Sequence, residues 1–456
     1  MHIKLPENVS FILRKLAEHG HEAYIVGGCV RDSVLNRTPD DWDITTSAKP
    51  EEVKAIFRRT VDTGIQHGTV TVIRDRKGYE VTTYRIDGVY EDNRRPKEVT
   101  FTASLAEDLK RRDFTVNAMA YNETEGLIDL FGGMADIRGK ILRCVGDAGQ
   151  RFEEDALRIM RAVRFSAQLG YTIEKETAAA AAGLADNLRF VSAERIQTEL
   201  TKLLCSSYPE YLKRAWELGI TARILPEFDK AMETPQNTPY HCCSVGEHLL
   251  RAMQYVPADK VLRLTMLMHD LGKTRVRSTD ETGRDHFYGH GAESEAMAKH
   301  ILKRLRYDND TIDKVTRLVR YHDMEIALTP DKVRKAMVRV GIELFPLLLT
   351  VKQADMMAQS QYRRKEKESH LYRLKQLHEE SIAQGNCIRL QDMAVTGKDL
   401  IEAGMKPGRA LGETLEELFQ YVLEFPEKNQ KDILLEQAGL QVEKPPSVCP
   451  INQGFK

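Results

Sequence analysis

Two aspartates one residue apart, Asp41 and Asp43, close the stretch from Tyr24 to Thr46, YIVGGCVRDSVLNRTPDDWDITT. It reads as a short apolar strand, Tyr24 to Val26, broken at Gly27-Gly28. A helical turn carrying Arg31 and Asp32 follows, then a turn at Thr38-Pro39, then a second strand bearing both aspartates. Side chains alternate faces along a strand, so Asp41 and Asp43 point one way and Trp42 the other. Two carboxylates on one face repel unless a cation lies between them, and hard oxygen donors of this kind suit Mg²⁺, which bridges carboxylates to nucleotide phosphates. Glycines let backbone N–H groups approach an anion at a helix N-terminus, and Arg31, one turn on, reaches the same phosphates. An isolated DxD also suits a solvated turn; Gly28 and Arg31 ahead of it favour the metal-phosphate reading.

A second set of chemical residues lies further along: His241, His248, the pair His269-Asp270 in MLMHDLGK, His286 and His290 in HFYGH, His322-Asp323, and Asp355. Nine of the 13 histidines fall between residues 241 and 378, several of them beside an aspartate. A single histidine on an apolar helix is usually a core residue, whereas this ordered set has the composition of a divalent-metal site. Between the two sets, Phe152 to Leu169, FEEDALRIMRAVRFSAQL, reads as one helix with Asp155 and Arg158 on a shared face and Arg161 and Arg164 continuing it at threes.

The elements that must position these groups are alternating strands first and helices afterwards. Residues 8–19 form an amphipathic helix ending at Gly20, and Pro50 opens another through Phe57. Gly68 to Ile73 alternates as a strand, turns at Arg76 to Gly78 and returns as Tyr79 to Arg85. That is a mixed sheet built around the carboxylates, with Glu80 as a candidate third acid beside the ordinary reading of a solvent-facing glutamate. Residues 87–98 are polar and turn-rich, a long mobile loop. Leu105 to Met119 supplies Arg111, Arg112, Asp113 and Asn117. From about Gly139 the pattern is almost wholly helical, including Ser192 to Leu204 with Arg195 and Glu199 at i,i+4; Thr234 to Pro239 reads as a linker.

With 456 residues, 42% hydrophobic and 30% charged, the chain has room for two to four domains. The N-terminus lacks the apolar segment of a signal peptide and no apolar run reaches membrane-span length, which implies a cytoplasmic protein without a membrane partner. Of the seven cysteines only Cys242 and Cys243 are adjacent, and no CxxC spacing occurs, as for free thiols. A net charge of −1 gives no compositional sign of a nucleic-acid partner, so any basic surface has to be made by folding.

Taken in order, GGCVRD, DDWDIT, RRDFTVNAMA, EEDALRIMRAVRF and ERIQTEL resemble the class II tRNA nucleotidyltransferases, the CCA-adding enzymes, which share their head with bacterial poly(A) polymerases. The resemblance covers about residues 20–230, with GMKPGRALG a weaker match. It implies an α+β chain with a polymerase-beta-like nucleotidyltransferase head (1–139), a helical neck for base and RNA binding (140–234), an HD domain (240–360) and a helical RNA-binding tail (361–442); the segment 443–456, with Pro445, Pro446 and Pro450, reads by composition as disordered. It implies catalytic, Mg²⁺-binding Asp41 and Asp43; triphosphate contacts from Gly28, Arg31 and Arg112; base reading by Asp155 and Arg158; and further nucleotide contacts from Arg161 and Arg164. The DNRRP loop resembles the loop needed for the switch to A addition. In the HD-like region His248, His269, Asp270, His290, His322 and Asp355 are candidate ligands of a second divalent metal. The partners implied are CTP, ATP and the acceptor arm and 3′ end of tRNA. Alternatives are a poly(A) polymerase, a CC-only enzyme, or a chain whose main activity is HD phosphohydrolysis.

Overall fold

The computed structural model describes residues 2–87, 90–91, 95–96, 99–385 and 388–440. The expected disordered segment 443–456 and part of the 87–98 loop lie outside them. The chain gathers into two compact units. One comprises Met1–Pro235, Cys243–Leu267 and Lys299–Ile312; the other comprises Gln236–Cys242, Met268–Ala298 and Asp313–Lys456. Residues 240–360 are thus shared between the two units.

The first unit is built on a seven-stranded mixed sheet. Its strands are β1 (Ala23–Val26), β2 (Ile44–Thr46), β3 (Thr60–Gly64), β4 (Thr69–Arg74), β5 (Lys77–Thr83), β6 (Met119–Asn122) and β7 (Gly126–Asp129), in the order β7-β6-β1-β2-β5-β4-β3. Only β2 and β5 run parallel; the other neighbours are antiparallel. Short alternating strands joined by tight turns favour antiparallel pairing, as at Asp75-Arg76, where two positive φ values make the turn between β4 and β5. Helix α1 (Glu7–Glu18) buries Val9, Ile12, Leu13 and Leu16, and helix α2 (Gly28–Val34) follows β1 directly. Part of the expected loop is instead extended: Arg85–Asp87 pairs with Val99–Phe101 and Tyr90–Glu91 with Arg95–Pro96.

Two expectations are corrected here. The second strand starts at Ile44, one residue after Asp43, because its parallel ladder with β5 begins at the Ile44–Val81 pair. The aspartates lead into it in extended form, Asp43 O accepting from Val26 N at 3.0 Å. The helix expected over 152–169 is two helices, α3 (Ala148–Glu154) and α4 (Leu157–Leu169), because Asp155 takes an extended conformation and its carboxylate caps the Leu157 N–H at 3.1 Å. The neck continues through α5 (Lys175–Gly183) and α6 (Ala193–Leu204), the latter packed on α4. The second unit is mainly helical; among its helices are Pro330–Val340, Phe345–Ala358 and Arg364–Ala383. Among the described residues no helix is long and apolar enough to cross a membrane.

Gly27 sits at the bend between β1 and α2 with φ +84° and ψ −133°, a region open essentially to glycine. A Cβ there would also stand 3.3 Å from Arg112 Nη1. Gly27→Ala is expected to cost about 1–3 kcal/mol of stability, measured by urea unfolding of the two chains side by side.

Candidate active site

Asp41 and Asp43 are exposed while Trp42 between them is buried, so the alternation expected of a strand holds although neither aspartate lies within one. The parallel register that pairs Ile44 with Val81 brings Glu80 alongside Asp43. Burial pushes the Asp43 carboxyl up, Arg112 pulls it down and Asp41 pushes it up again. Glu80 is likewise raised, by burial and then by Asp43 and Asp41. The charged forms of Asp43 and Glu80 are therefore disfavoured beside each other and beside Asp41, a condition that a divalent cation relieves. Although Asp43 exposes much of its surface to solvent, its carboxylate oxygen faces the Gly27 bend, where Arg112 also arrives.

The basic side of the site is held by buried acids. Asp108, fully buried, accepts from Arg111 Nε and Nη2 at 3.0 and 2.8 Å, from Arg112 Nη2 at 3.2 Å and from Thr45 Oγ1 at 3.2 Å. Burial would raise its carboxyl, but Arg112 and Arg111 outweigh that and hold it low. Arg112 Nε is buried without a hydrogen-bond partner among the described residues. Arg31 is buried against its own neighbour, donating Nε and Nη2 to Asp32 at 2.9 Å each and Nη1 to Asn117 at 2.6 Å. Gly28, the first residue of α2, lies beside it: a Cβ there would be 3.6 Å from Arg31 Nη2.

On the neck, Asp155 and Arg158 each engage another residue. Asp155 accepts from Arg195 Nη2 at 2.7 Å, while Arg158 donates to Glu154 Oε2 at 2.5 Å and to the carbonyls of Arg151 and Arg111 at 3.1 and 3.0 Å. Arg161 donates Nε and Nη2 to Asp113 at 2.8 and 2.6 Å, and Arg164 donates Nε to Glu199 at 2.5 Å. Burial would raise the Asp113 carboxyl, yet Arg161 and the hydrogen bonds around it bring it down to about 2. Asp108, Asp113, Asn117, Arg195 and Glu199 were not singled out as functional from sequence. The signal that could have found Asp108 is its i,i+3 and i,i+4 spacing to Arg111 and Arg112; the other contacts are long-range.

In the second unit, His290 and His322 bring their Nε2 atoms to 3.2 Å of each other and to 3.3 and 3.4 Å of Asp270 Oδ1. The ligand atoms of these three residues all lie within 4.8 Å of one another. Each ring is oriented through its other nitrogen, His290 Nδ1 on Phe287 O at 2.9 Å and His322 Nδ1 on Val319 O at 2.8 Å. An N–H donated to a carbonyl turns Nε2 of each ring inward, the orientation of metal-ligating histidines. His269 Nε2 stands 3.5 Å from Asp270 and 3.6 Å from Asp355. Gly272 permits the close approach this needs, since a Cβ would stand 2.5 Å from His290 O. Lys273 Nζ pairs with Asp270 at 2.6 Å. His286 is turned to Asp280 at 2.8 Å, so His290 is the member of HFYGH that joins the cluster. His241 faces Lys273 at 3.4 Å, and His248 is buried on helix Val245–Gln254 of the first unit.

Family models match three stretches of the chain: the poly A polymerase head domain over residues 23–143, the RNA and SrmB-binding site of polymerase A over 170–232, and tRNA nucleotidyltransferase domain 2 over 290–438. A CCA-adding enzyme of Levilactobacillus brevis is 37% identical over 440 residues, covering 94% of this chain and 98% of that enzyme. One from Enterococcus faecalis is 36% identical and covers 95% of each. Among solved structures, the Bacillus stearothermophilus CCA-adding enzyme in complex with CTP is 31% identical, with a TM-score of 0.74 over 96% of this chain and 98% of that one.

Because pairing in the fold depresses Asp113, its contribution to stability is present above pH about 4 and is lost as pH falls through about 2. Asp113→Asn is expected to remove this acid dependence and, because the half-buried Arg161 keeps the more distant Glu199 as an acidic partner, to cost about 1–3 kcal/mol at pH 7. Urea unfolding of both chains between pH 2 and 7 measures it.

Proposed function

The chain belongs to the CCA-adding enzymes, tRNA nucleotidyltransferases that add C, C and A to the 3′ end of tRNA from CTP and ATP with release of pyrophosphate, and from that premise we propose how its residues divide the work. The observation that carries the assignment is the convergence of Asp41, Asp43 and Glu80 beside Arg112 across Gly27. Enzymes of this kind depend on a divalent metal; we assign Mg²⁺, with Asp41 and Asp43 as its ligands and Glu80 as the third acid. When bound it supplies charge neutralisation at the phosphates and a lowered pKa for the RNA 3′ hydroxyl. The carboxylates orient that hydroxyl toward the α-phosphate, while Gly28, Arg31 and Arg112 hold the triphosphate so that pyrophosphate leaves in line.

Asp155 and Arg158 are assigned to the base. A carboxylate accepts from the exocyclic amine that C and A share, and a guanidinium donates to the neighbouring ring acceptor. U and G present a carbonyl instead and leave a buried group unmatched, at a cost of about 1–3 kcal/mol. Arg195 and Glu154 keep the two side chains paired until a base takes their place. Arg161 and Arg164 complete the basic wall behind them. Since tRNA is matured where it is used, the enzyme is assigned to the cytoplasm.

The inward-facing Nε2 atoms of His290 and His322 favour a second reading alongside the first: an HD-type divalent-metal site held by His269, Asp270, His290, His322 and Asp355, with Asp270 shared. A divalent ion there supplies an acidified water and a polarised phosphoryl oxygen, the chemistry of phosphohydrolysis.

With Mg²⁺ and a tRNA transcript ending before CCA, the enzyme is expected to add two C residues from CTP alone and one A when ATP is also present, then stop. Asp41→Ala is expected to lower addition by at least about 10³-fold while leaving phosphohydrolysis intact, and Asp270→Ala to do the reverse. A long ladder from ATP alone would assign poly(A) synthesis instead, and two C residues without A a CC-only enzyme.

A further inference from the structure

Three guanidinium groups surround one buried ring. Arg164 lies 3.6 Å from the centroid of Phe165, Arg31 5.1 Å and Arg161 5.2 Å. The ring is only 6% exposed and is braced by Phe114, edge-on at 5.8 Å. One of the cations comes from α2 of the head and two from α4 of the neck. Each is tied to an acid or amide outside the ring: Arg31 to Asp32 and Asn117, Arg161 to Asp113, and Arg164 to Glu199 and Gln168. Asp113 also accepts from Asn117 at 3.2 Å, so the acids and amides form a continuous outer belt from Arg31 to Arg161. Three like charges gathered this closely repel one another, and the belt accounts for their charge but not for their shared face. An aromatic ring does: its negative face attracts cations from several directions and keeps them apart with apolar carbon between them.

We propose that Phe165 is a positioning residue for nucleotide selection, a cation–π joint that sets the register of α4 against the head. Arg158 stands in the first turn of α4, seven residues from Phe165 on the same helix, and Asp155 caps the N-terminus of that helix through the Leu157 N–H, whereas Asp41, Asp43 and Arg112 belong to the head. A nucleotide spans both, its triphosphate on the head and its base on the start of α4. Selection of the base can control transfer only if the distance between these two groups of residues is held constant. The joint holds it, because any slide or rotation of α4 moves Arg161 and Arg164 and pulls the ring away from Arg31. The ion pair of Asp113 with Arg161 alone fixes one point of contact; the ring adds a second, off its axis, and so removes the remaining freedom to rotate.

This inference rests on the assignment of Asp155 and Arg158 to the base, and the test separates the two. Full-length wild type, Phe165→Leu, Phe165→Met, Phe165→Tyr and Asp155→Ala are compared with a tRNA substrate ending before CCA. The readouts are kcat and KM for CTP, misincorporation from UTP, and Tm. Removing the ring while keeping apolar volume, in Phe165→Leu or, should that chain not fold, Phe165→Met, is expected to raise KM for CTP about tenfold and to lower CTP-over-UTP discrimination by a similar factor, with kcat changed less than about threefold. Phe165→Tyr, which retains the ring, is expected to restore both. A lowered Tm with unchanged KM and discrimination in the ring-free variants would make Phe165 a core residue only and overturn the proposal. If Asp155→Ala leaves discrimination unchanged, the base assignment fails and the proposal falls with it; if it abolishes discrimination while the ring-free variants keep theirs, only the joint is refuted.

Discussion

Burying a carboxylate costs several kcal/mol unless a cation meets it with good geometry, and the first unit meets that condition through Asp113 and Arg161. Asp113 lies between the sheet and the neck, and Arg161 is one turn beyond the residues assigned to the base. Around this pair the other polar contacts follow in order. Asn117, fixed by Asp113, fixes Arg31; Glu199, which holds Arg164, also draws Arg161 at 3.9 Å. Removing the anion would leave the half-buried Arg161 guanidinium with the more distant Glu199 carboxylate as its acidic partner. Head and neck therefore share one electrostatic system, and both lie in the same compact unit.

The site itself shows opposite charges being kept apart by buried supports. Beyond the end of β1 Asp43 feels both Asp41 and Arg112, and Arg112 is held from behind by Asp108 rather than closing fully on Asp43. A guanidinium free to collapse onto the carboxylates would neutralise them and remove the reason for a metal. Holding it on Asp108 leaves the carboxylates mutually repelling. The net charge of −1 conceals this arrangement, since it sums over acids and bases that the fold has sorted.

The second unit gathers histidines around a buried carboxylate. Backbone carbonyls accept from Nδ1 of His290 and His322, which turns both Nε2 atoms onto Asp270. Two ring nitrogens 3.2 Å apart require a proton or a cation between them. Lys273 lies against the same aspartate and supplies part of that positive charge from the protein.

Much of this was legible in the residues. The DxD with its glycine-arginine turn, the change from alternating strands to helices near Gly139, and the order of the histidines are local patterns, and local patterns follow from backbone geometry and side-chain periodicity. The sequence by itself thus determined the class of chemistry, the mixed sheet and the helical neck. Folding decided the pairings. That Asp155 breaks the helix and meets Arg195, that Asp113 meets Arg161 across 48 residues, that Glu80 joins the aspartates, and that His290 rather than His286 turns to Asp270 all depend on which distant groups arrive at one buried place. Charge pairs at helical spacing look alike in a sequence whether they lie in water or in a core. Burial, which only the tertiary structure supplies, makes an unmet charge costly enough to choose its partner.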